Sequence, residues 1–214
     1  MNILTFSDRL FWMAARNGKI TGTRAKDIKP KTRGEGKKIG YYELIAEKLG
    51  IPNEEVETPM ERGSRLEHEA LERFVAETGK EVDMSLLLWQ RDDEANIALS
   101  PDGVVAPKKK NGAIIEACEV KCLSAARHIE AYLTHNVPDE YWDQCLQYFV
   151  VNDDLKTLNF ICYDPRFGMN PKVKIDYFVI EIQRAEVEKE VAEALANQKA
   201  VIAEVRKVVN ELTF

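Results

Sequence analysis

The sequence has no long apolar run. Its longest apolar stretch, around residues 86–89, is far shorter than the ~20 residues that span a bilayer. The first five residues also lack the charged and then apolar pattern of a signal peptide. We therefore expect a cytoplasmic protein that does not associate with a membrane.

An excess of positive charge is also lacking. The chain has 36 acidic and 30 basic residues, which gives a net charge of -6 at pH 7. This balance excludes a broadly basic nucleic-acid coat. Any contact with DNA must be local, in a groove lined with selected Lys and Arg side chains.

Neither the cysteines nor the histidines have metal-site spacing. The four cysteines include no CxxC pair, and the three histidines form no HExxH or zinc-finger spacing. These residues are Cys118, Cys122, Cys145, Cys162, His68, His128 and His135. We therefore expect reduced, partly buried thiols rather than a zinc or iron–sulfur site.

The length and composition fit one folded domain. With 214 residues, 45% of them hydrophobic, the chain can bury a full core. Disordered and fibrous classes are excluded.

Apolar spacing predicts helices in the first eighty residues. One lies near residues 10–14, a second ends at Gly50, and a third runs from about residue 59 to residue 78, where Gly79 closes it. Residues 29–38, between the first two helices, are rich in glycine and positive charge. A mobile basic segment and a solvated connection explain this composition equally well.

The middle of the chain changes to β-rich segments, which lie at residues 82–90, 95–99, 103–106 and 113–122. Turn sequences separate them, which predicts a hairpin-rich sheet.

Helical patterns return at about residues 124–133 and 139–151. Strand-like runs follow at 157–163 and 174–182, and then a long amphipathic helix from residue 185 to residue 212. This order predicts an α/β or α+β fold in a single domain. We divide it into N-terminal helices (1–80), a sheet with helices (81–183) and a C-terminal helix (184–214).

One pair of short motifs is suited to chemistry: the turn Ser-Pro-Asp-Gly that contains Asp102, and the strand-like Glu119-Val120-Lys121. Residues two apart in a strand point to the same face, so Glu119 and Lys121 should project together. Val120 should turn into the core and leave its carbonyl oxygen at the working edge. A hairpin through Asn111-Gly112 would bring the Asp102 carboxylate beside Glu119.

Two carboxylates and a backbone oxygen form a hard oxygen site suited to Mg²⁺. Beside such a site Lys121 can help deprotonate an attacking water or stabilise a pentacovalent phosphate. From these residues alone, an exposed strand pair beside a plain turn is an equally good interpretation.

The arrangement resembles the PD-(D/E)XK nuclease superfamily, and the flanking sequence resembles the phage lambda exonuclease and YqaJ-type viral recombinase family. Six blocks match in family order through most of the chain. They are residues 16–23 (RNGKITGT), 62–67 (RGSRLE), 100–103 (SPDG), 119–122 (EVKC), 141–144 (YWDQ) and 163–166 (YDPR). Two features depart from the family: Leu123 replaces a common proline, and the usual Q-x-Q reads Gln144-Cys145-Leu146-Gln147. The second departure leaves open which glutamine enters the site.

The resemblance implies a restriction-endonuclease-like core, in which helices flank a mixed central sheet. It implies that Asp102, Glu119 and the Val120 carbonyl bind metal, and that Lys121 is the catalytic lysine. Glu67 is implied as a further acidic residue near the metals or the attacking water. The implied cofactor is Mg²⁺, with two ions per site and with Mn²⁺ able to substitute.

The resemblance also implies a pocket for a terminal 5′-phosphate, formed by Arg16, Thr23, Ser100 and Gln144. These side chains are of the types that hold a phosphate by charge-assisted hydrogen bonds. Taken singly, Arg16 is more typical of a solvated helix arginine, Thr23 of a helix cap and Gln144 of a buried amide.

Two further positions match DNA contacts of the family. Arg33 corresponds to a contact with the strand that is not hydrolysed. Met60 corresponds to an apolar residue that separates the strands at the fork, although packing at the helix start explains it equally well.

The function implied is a Mg²⁺-dependent 5′→3′ double-strand DNA exonuclease, a single domain over residues 1–214. It would resect one strand from a 5′-phosphorylated duplex end and leave a 3′ overhang for a single-strand annealing protein in phage-type recombination. A homotrimeric ring around double-stranded DNA, in the host cytoplasm if the protein is phage-encoded, is implied as well. The alternatives are another PD-(D/E)XK nuclease, either a structure-selective endonuclease or a Cas4-like enzyme, and a non-catalytic module that binds DNA ends.

Overall fold

The computed structural model describes residues 11, 37–51, 59–107, 109, 112–169 and 173–212. Two helices, α1 (Ile39–Lys48) and α2 (Pro59–Thr78), lie in its N-terminal part. Gly50 (φ 74°) and Gly79 (φ 68°) follow their ends in the left-handed conformation, which costs glycine little because it has no Cβ. The predictions of these two helices are confirmed. The helix predicted at residues 10–14 lies outside the described residues except for residue 11, which is helical.

A mixed five-stranded sheet forms the centre of the molecule. Its strands are β1 (Val82–Asp83), β4 (Gly103–Val105), β5 (Glu116–Lys121), β6 (Thr157–Tyr163) and β7 (Tyr177–Gln183). They lie in the order β1-β4-β5-β6-β7. The β5–β6 pair is parallel, and the other three pairs are antiparallel. A separate antiparallel pair consists of β2 (Trp89–Gln90) and β3 (Ala98–Leu99).

Helices connect and flank these strands, as the predicted mixed α/β class requires. The parallel β5–β6 pair needs a crossover, which α3 (Ala125–Thr134) and α4 (Asp139–Val151) supply. The short α5 (Pro165–Gly168) follows β6, and the long α6 (Arg184–Leu212) follows β7. Across the described residues, every helix falls short of the length and apolar character needed to cross a bilayer.

The structure differs from the predicted local structure in two places. The predicted strand at residues 82–90 is two short strands in different sheets, because β1 pairs with β4 whereas β2 pairs with β3. The segment between them is irregular, and Leu86 in it is fully exposed.

Helix α5 was not predicted, since four residues are too few to show a helical period. Its local signal is Asp164, which caps the helix, followed by Pro165 in its first turn.

Strand β5 lies between two apolar layers and sends alternate side chains to each. Ala117 packs in the cluster that includes residues of α4 and α6. Cys118 and Val120 pack on the other side, against Leu71 and Phe74 of α2. Glu119 therefore shares the α4 side of the sheet with Ala117, which places a carboxylate inside the molecule.

Candidate active site

The end of β5 carries an ion pair between Glu119 and Lys121. Lys121 Nζ contacts Glu119 Oε1. The Glu119 side chain is 1% exposed and that of Lys121 is 21% exposed, so the pair lies at the boundary between core and surface. Val120, between them, is buried against α2. This alternation is the one expected of a strand.

Asp102 reaches the same place from the neighbouring strand. Gly103 lies opposite Cys118 in the antiparallel β4–β5 pair, which puts Asp102 next to Glu119 in the register. Asp102 Oδ2 accepts a hydrogen bond of 2.7 Å from the Val120 N–H. Gly103 lets β4 pack closely against α2 and β1, because a Cβ there would lie 2.9 Å from the side chains of both Leu71 and Val82.

Tyr148 of α4 contacts both acidic residues from inside the molecule. Its hydroxyl donates to Glu119 Oε2 at 2.7 Å and accepts from the Asp102 N–H at 3.2 Å. The Tyr148 side chain is fully buried. The turn that contains Asp102, strand β5 and helix α4 are thus joined at the Tyr148 hydroxyl by polar contacts.

The electrostatics of this group favour added positive charge. Burial, followed by the charge of Asp102, raises the pKa of Glu119 to about 7, although Lys121 and Tyr148 oppose that shift. Burial also raises the pKa of Asp102, against the effects of the Val120 N–H and Lys121. Burial would lower the pKa of Lys121, but Glu119 outweighs it and the net shift is upward. The positive charge of Lys121 alone therefore does not offset the burial of Asp102 and Glu119 and their mutual repulsion.

Glu67 of α2 adds a third carboxylate to the surroundings. Burial raises its pKa, the charge of Asp102 raises it further, and Lys121 lowers it. Glu67 therefore lies within electrostatic range of both residues, in a half-buried position on the helix that packs against β5.

Tyr141, in the first turn of α4, lies beside Lys121. The Lys121 ammonium is 5.4 Å from the centre of the Tyr141 ring, a distance at which the ring face attracts a cation. The ring also packs near Phe160, with the two centres 6.2 Å apart. Lys121 is therefore held between a carboxylate and an aromatic ring.

The donor set fits a divalent cation in its chemistry. Asp102 and Glu119 offer carboxylate oxygens, the ligands that Mg²⁺ prefers, and their mutual repulsion is what a cation would relieve. Protein donors already engage these side chains: Val120 at Asp102, and Lys121 and Tyr148 at Glu119. Within the described ranges, no three His, Cys, Asp or Glu side chains converge in a way that would hold a metal. A bound cation would use the remaining lone pairs of these carboxylates.

The other predicted site residues fall into two groups. Ser100 is exposed two residues before Asp102, and Gln144 is exposed on α4. Arg16, Thr23 and Arg33 lie outside the described residues. Met60 lies within α2, and its side chain is also outside the description.

The two candidate glutamines have different surroundings. Gln144 is three residues after Tyr141 and four before Tyr148, so it lies on the helix face that carries both tyrosines. Gln147 donates to the Ala98 carbonyl at 3.2 Å and accepts from Gln198 at 2.6 Å. Gln147 is therefore engaged between α4, β3 and α6, whereas Gln144 is exposed on the face of α4 that carries both tyrosines.

Sequence reasoning gave no role to Tyr148 or Tyr141. Tyr148 lies in an apolar helix, where an aromatic residue is usually core. Its spacing from Gln144 was the available signal, since residues four apart share a helix face.

The YqaJ-like viral recombinase domain model matches residues 11–154 of the chain. This segment contains every described residue of the acidic group, and it covers more than half of the sequence. A comparison with curated proteins finds no match.

Two solved structures are similar to this chain over nearly its whole length. One is the crystal structure of an alkaline exonuclease, LHK-Exo, from Laribacter hongkongensis, with 30% identity and a TM-score of 0.53. The other is LHK-Exo in complex with dAMP, with 29% identity and a TM-score of 0.53. Each comparison covers 95% of this chain and 100% of the other.

Proposed function

The chain belongs to the YqaJ-like viral recombinase domain family, and from this membership we propose that it is a Mg²⁺-dependent 5′→3′ double-strand DNA exonuclease. It would resect one strand from a 5′-phosphorylated end and leave a 3′ overhang for a single-strand annealing protein. The similarity to an alkaline exonuclease supports the nuclease assignment. The dAMP in one LHK-Exo structure is the kind of mononucleotide that a DNA exonuclease releases.

The observation that carries the proposal is the meeting of Asp102, Glu119 and Lys121 at the C-terminal end of β5, the central strand of the sheet. Asp102 is fixed by the 2.7 Å hydrogen bond from Val120, and Glu119 pairs with Lys121. The burial of Glu119 favours this site over an exposed strand pair. A buried acidic group beside a lysine costs stability, which is typical of a site kept for chemistry.

We assign the roles as follows. Asp102, Glu119 and the Val120 carbonyl would hold Mg²⁺, with Glu67 close by. When bound, the ion supplies Lewis-acid polarisation of a phosphoryl oxygen and lowers the pKa of a bound water. Lys121 directs its positive charge to the same place, where it would assist deprotonation of the attacking water or stabilise charge on the phosphate.

We further propose that the terminal 5′-phosphate is bound by Arg16, Thr23, Ser100 and Gln144. The exposure of Ser100 and Gln144 near the acidic group supports this pocket. Of the two glutamines, Gln144 is the better candidate, since Gln147 is engaged by Ala98 and Gln198. Arg33 and Met60 are proposed as contacts to the DNA strands.

The test is digestion of DNA substrates that differ only in their ends. Linear duplexes with 5′-phosphate or 5′-hydroxyl ends are incubated with and without Mg²⁺, beside a covalently closed circle. We expect Mg²⁺-dependent release of mononucleotides from linear DNA, faster for phosphorylated ends, with 3′ single strands left and the circle intact. Cutting of the circle would instead indicate an endonuclease. Binding of DNA ends without any hydrolysis would indicate a non-catalytic module.

A further inference from the structure

We infer that Tyr148 is the positioning residue of this site, whose single hydroxyl fixes both Glu119 and Asp102 in the arrangement that binds metal. The inference rests on the proposed metal-dependent function. It assigns a role to a residue that otherwise looks like part of the apolar core.

The hydrogen-bonding capacity of a phenol matches what Tyr148 does. A phenol has one proton to donate, and oxygen lone pairs that accept. Its 2.7 Å contact with Glu119 Oε2 is the shortest of its three polar contacts and is charge-assisted when Glu119 is ionised. The lone pairs face the Asp102 N–H at 3.2 Å, and the Cys118 carbonyl lies 3.1 Å away. One atom therefore fixes the carboxylate of the first acid and the backbone of the second.

This contact determines how Glu119 is oriented. Oε2 is held by Tyr148 from inside the molecule, whereas Oε1 faces Lys121, which is partly exposed. Without the hydroxyl, the buried oxygen would lack a donor, and the carboxylate could rotate about its terminal torsion, which is a soft one. Asp102 would also lose the acceptor of its N–H.

The rest of the molecule holds Tyr148 rigidly. Its ring packs edge-on against Trp89, with the centres 6.1 Å apart. Phe149 and Val150, the next residues of α4, offer their carbonyls to Arg184 and Arg91 respectively. The helix therefore cannot easily shift to relax a change at the hydroxyl, and the hydroxyl can act as a fixed reference for both acids.

The experiment compares wild type with Tyr148→Phe, which removes the hydroxyl and keeps the ring. Tyr132→Phe is the matched control, because the Tyr132 ring, in α3, packs against Phe178 of β7 and near His135. Binding of Mn²⁺ without DNA is measured by titration calorimetry, and thermal unfolding is measured in EDTA and in Mn²⁺. We expect about 10- to 100-fold weaker Mn²⁺ binding for Tyr148→Phe, as for other residues that orient metal ligands, and unchanged binding for the control.

The metal-induced rise in Tm should shrink in step with the lost affinity. This measurement remains valid if Tyr148→Phe is destabilised, because each variant is compared with its own metal-free form. Cleavage by Tyr148→Phe should recover when the Mn²⁺ concentration is raised. Equal Mn²⁺ affinity in wild type and Tyr148→Phe would overturn the positioning role while leaving the proposed function intact. Absence of Mn²⁺ binding and cleavage in wild type would overturn both.

Discussion

At the scale of single residues, Asp102 and Glu119 occupy positions that disfavour their own charges. Glu119 is buried and Asp102 is partly buried, and each repels the other. A structure selected for stability alone would place apolar side chains here. The cost is understandable if a cation binds, because binding to the folded state recovers free energy.

This cost predicts that the stability of the metal-free protein depends on pH. Glu119 has an ordinary pKa of 4.5 and a pKa of about 7 in the fold, so the folded state binds a proton more tightly than the unfolded chain does. The contribution of Glu119 to folding stability is therefore fully present below about pH 4.5, where the residue is protonated. It is lost as the pH rises to about 7, which lowers the free energy of unfolding by roughly 3 kcal/mol. Asp102→Asn removes one partly buried charge and its repulsion of Glu119. We expect this variant to have a higher Tm than wild type in EDTA.

Calorimetry in EDTA at several pH values checks this prediction. The Tm difference between Asp102→Asn and wild type should be larger at pH 8 than at pH 5. Addition of Mn²⁺ should reverse the order, because wild type alone gains stability by binding. A constant Tm difference across the pH range would show that Asp102 and Glu119 do not interact as described.

Cleavage should depend on the three residues that meet at the C-terminal end of β5, which are Asp102, Glu119 and Lys121. We expect Asp102→Ala, Glu119→Ala and Lys121→Ala each to lower the cleavage rate by on the order of 10²–10³-fold or more, because they supply metal charge and transition-state stabilisation. The far-UV circular dichroism and the binding of DNA ends should be largely kept. Lys156→Ala is the control, since Lys156 is an exposed lysine at the opposite end of the parallel strands. Wild-type rates in any of the three folded site variants would exclude that residue from the chemistry.

At the scale of elements, α4 connects the site to the rest of the fold. Its N-terminal half carries Tyr141 and Gln144, and Tyr148 lies one turn before its end. Arg184, in the first turn of α6, donates to the carbonyls of Phe149, Asn152 and Leu155. These are carbonyls at and beyond the helix end, which have no partners within the helix.

Loss of this cap should destabilise the fold. We expect Arg184→Ala to lower the free energy of unfolding by about 2–4 kcal/mol, because it removes the side-chain donor that the carbonyls of Phe149, Asn152 and Leu155 share at the α4–β6 connection. Denaturant unfolding is the measurement. Lys189→Ala, on the same helix, is the control and should change stability by less than about 0.5 kcal/mol, because Lys189 is exposed and its ion pair with Glu193 is long, at 3.8 Å. Equal effects of the two substitutions would show that Arg184 is not a structural cap.

At the scale of the whole molecule, the proposed ring requires association. A domain of 214 residues is too small to encircle a duplex alone, so sustained tracking along DNA needs several copies or a tight cleft. Closed rings form through a head-to-tail interface repeated by rotation.

We expect a homotrimer in solution, with a mass near three times 24.4 kDa by light scattering and without larger open polymers. Long tracts should be degraded per binding event when competitor DNA is present. A strict monomer that still degrades processively would contradict the ring and favour a clamp-like single subunit, without affecting the metal chemistry.

Much of this fold follows from local pattern. Helix α4 and strand β6 agree with the predicted bounds, because neighbouring residues alone carry the helical spacing of the first and the β-branched and aromatic run of the second. The split of residues 82–90 does not follow, since β1 and β2 are assigned to different sheets by partners distant in sequence. Local propensity contains no information about such a partner.

The sequence by itself determined the chemical identity of the site: two carboxylates, a lysine two residues from one of them, and blocks that resemble one nuclease family. It also determined which side of β5 each residue faces, because alternation is a property of the extended backbone. Only the tertiary structure decided that the Glu119 carboxylate is buried, that Asp102 bonds to Val120, and that Tyr148 reaches both acids. Burial and pKa shifts arise from the packing of elements far apart in the chain, and no spacing of residues along one strand or helix encodes them.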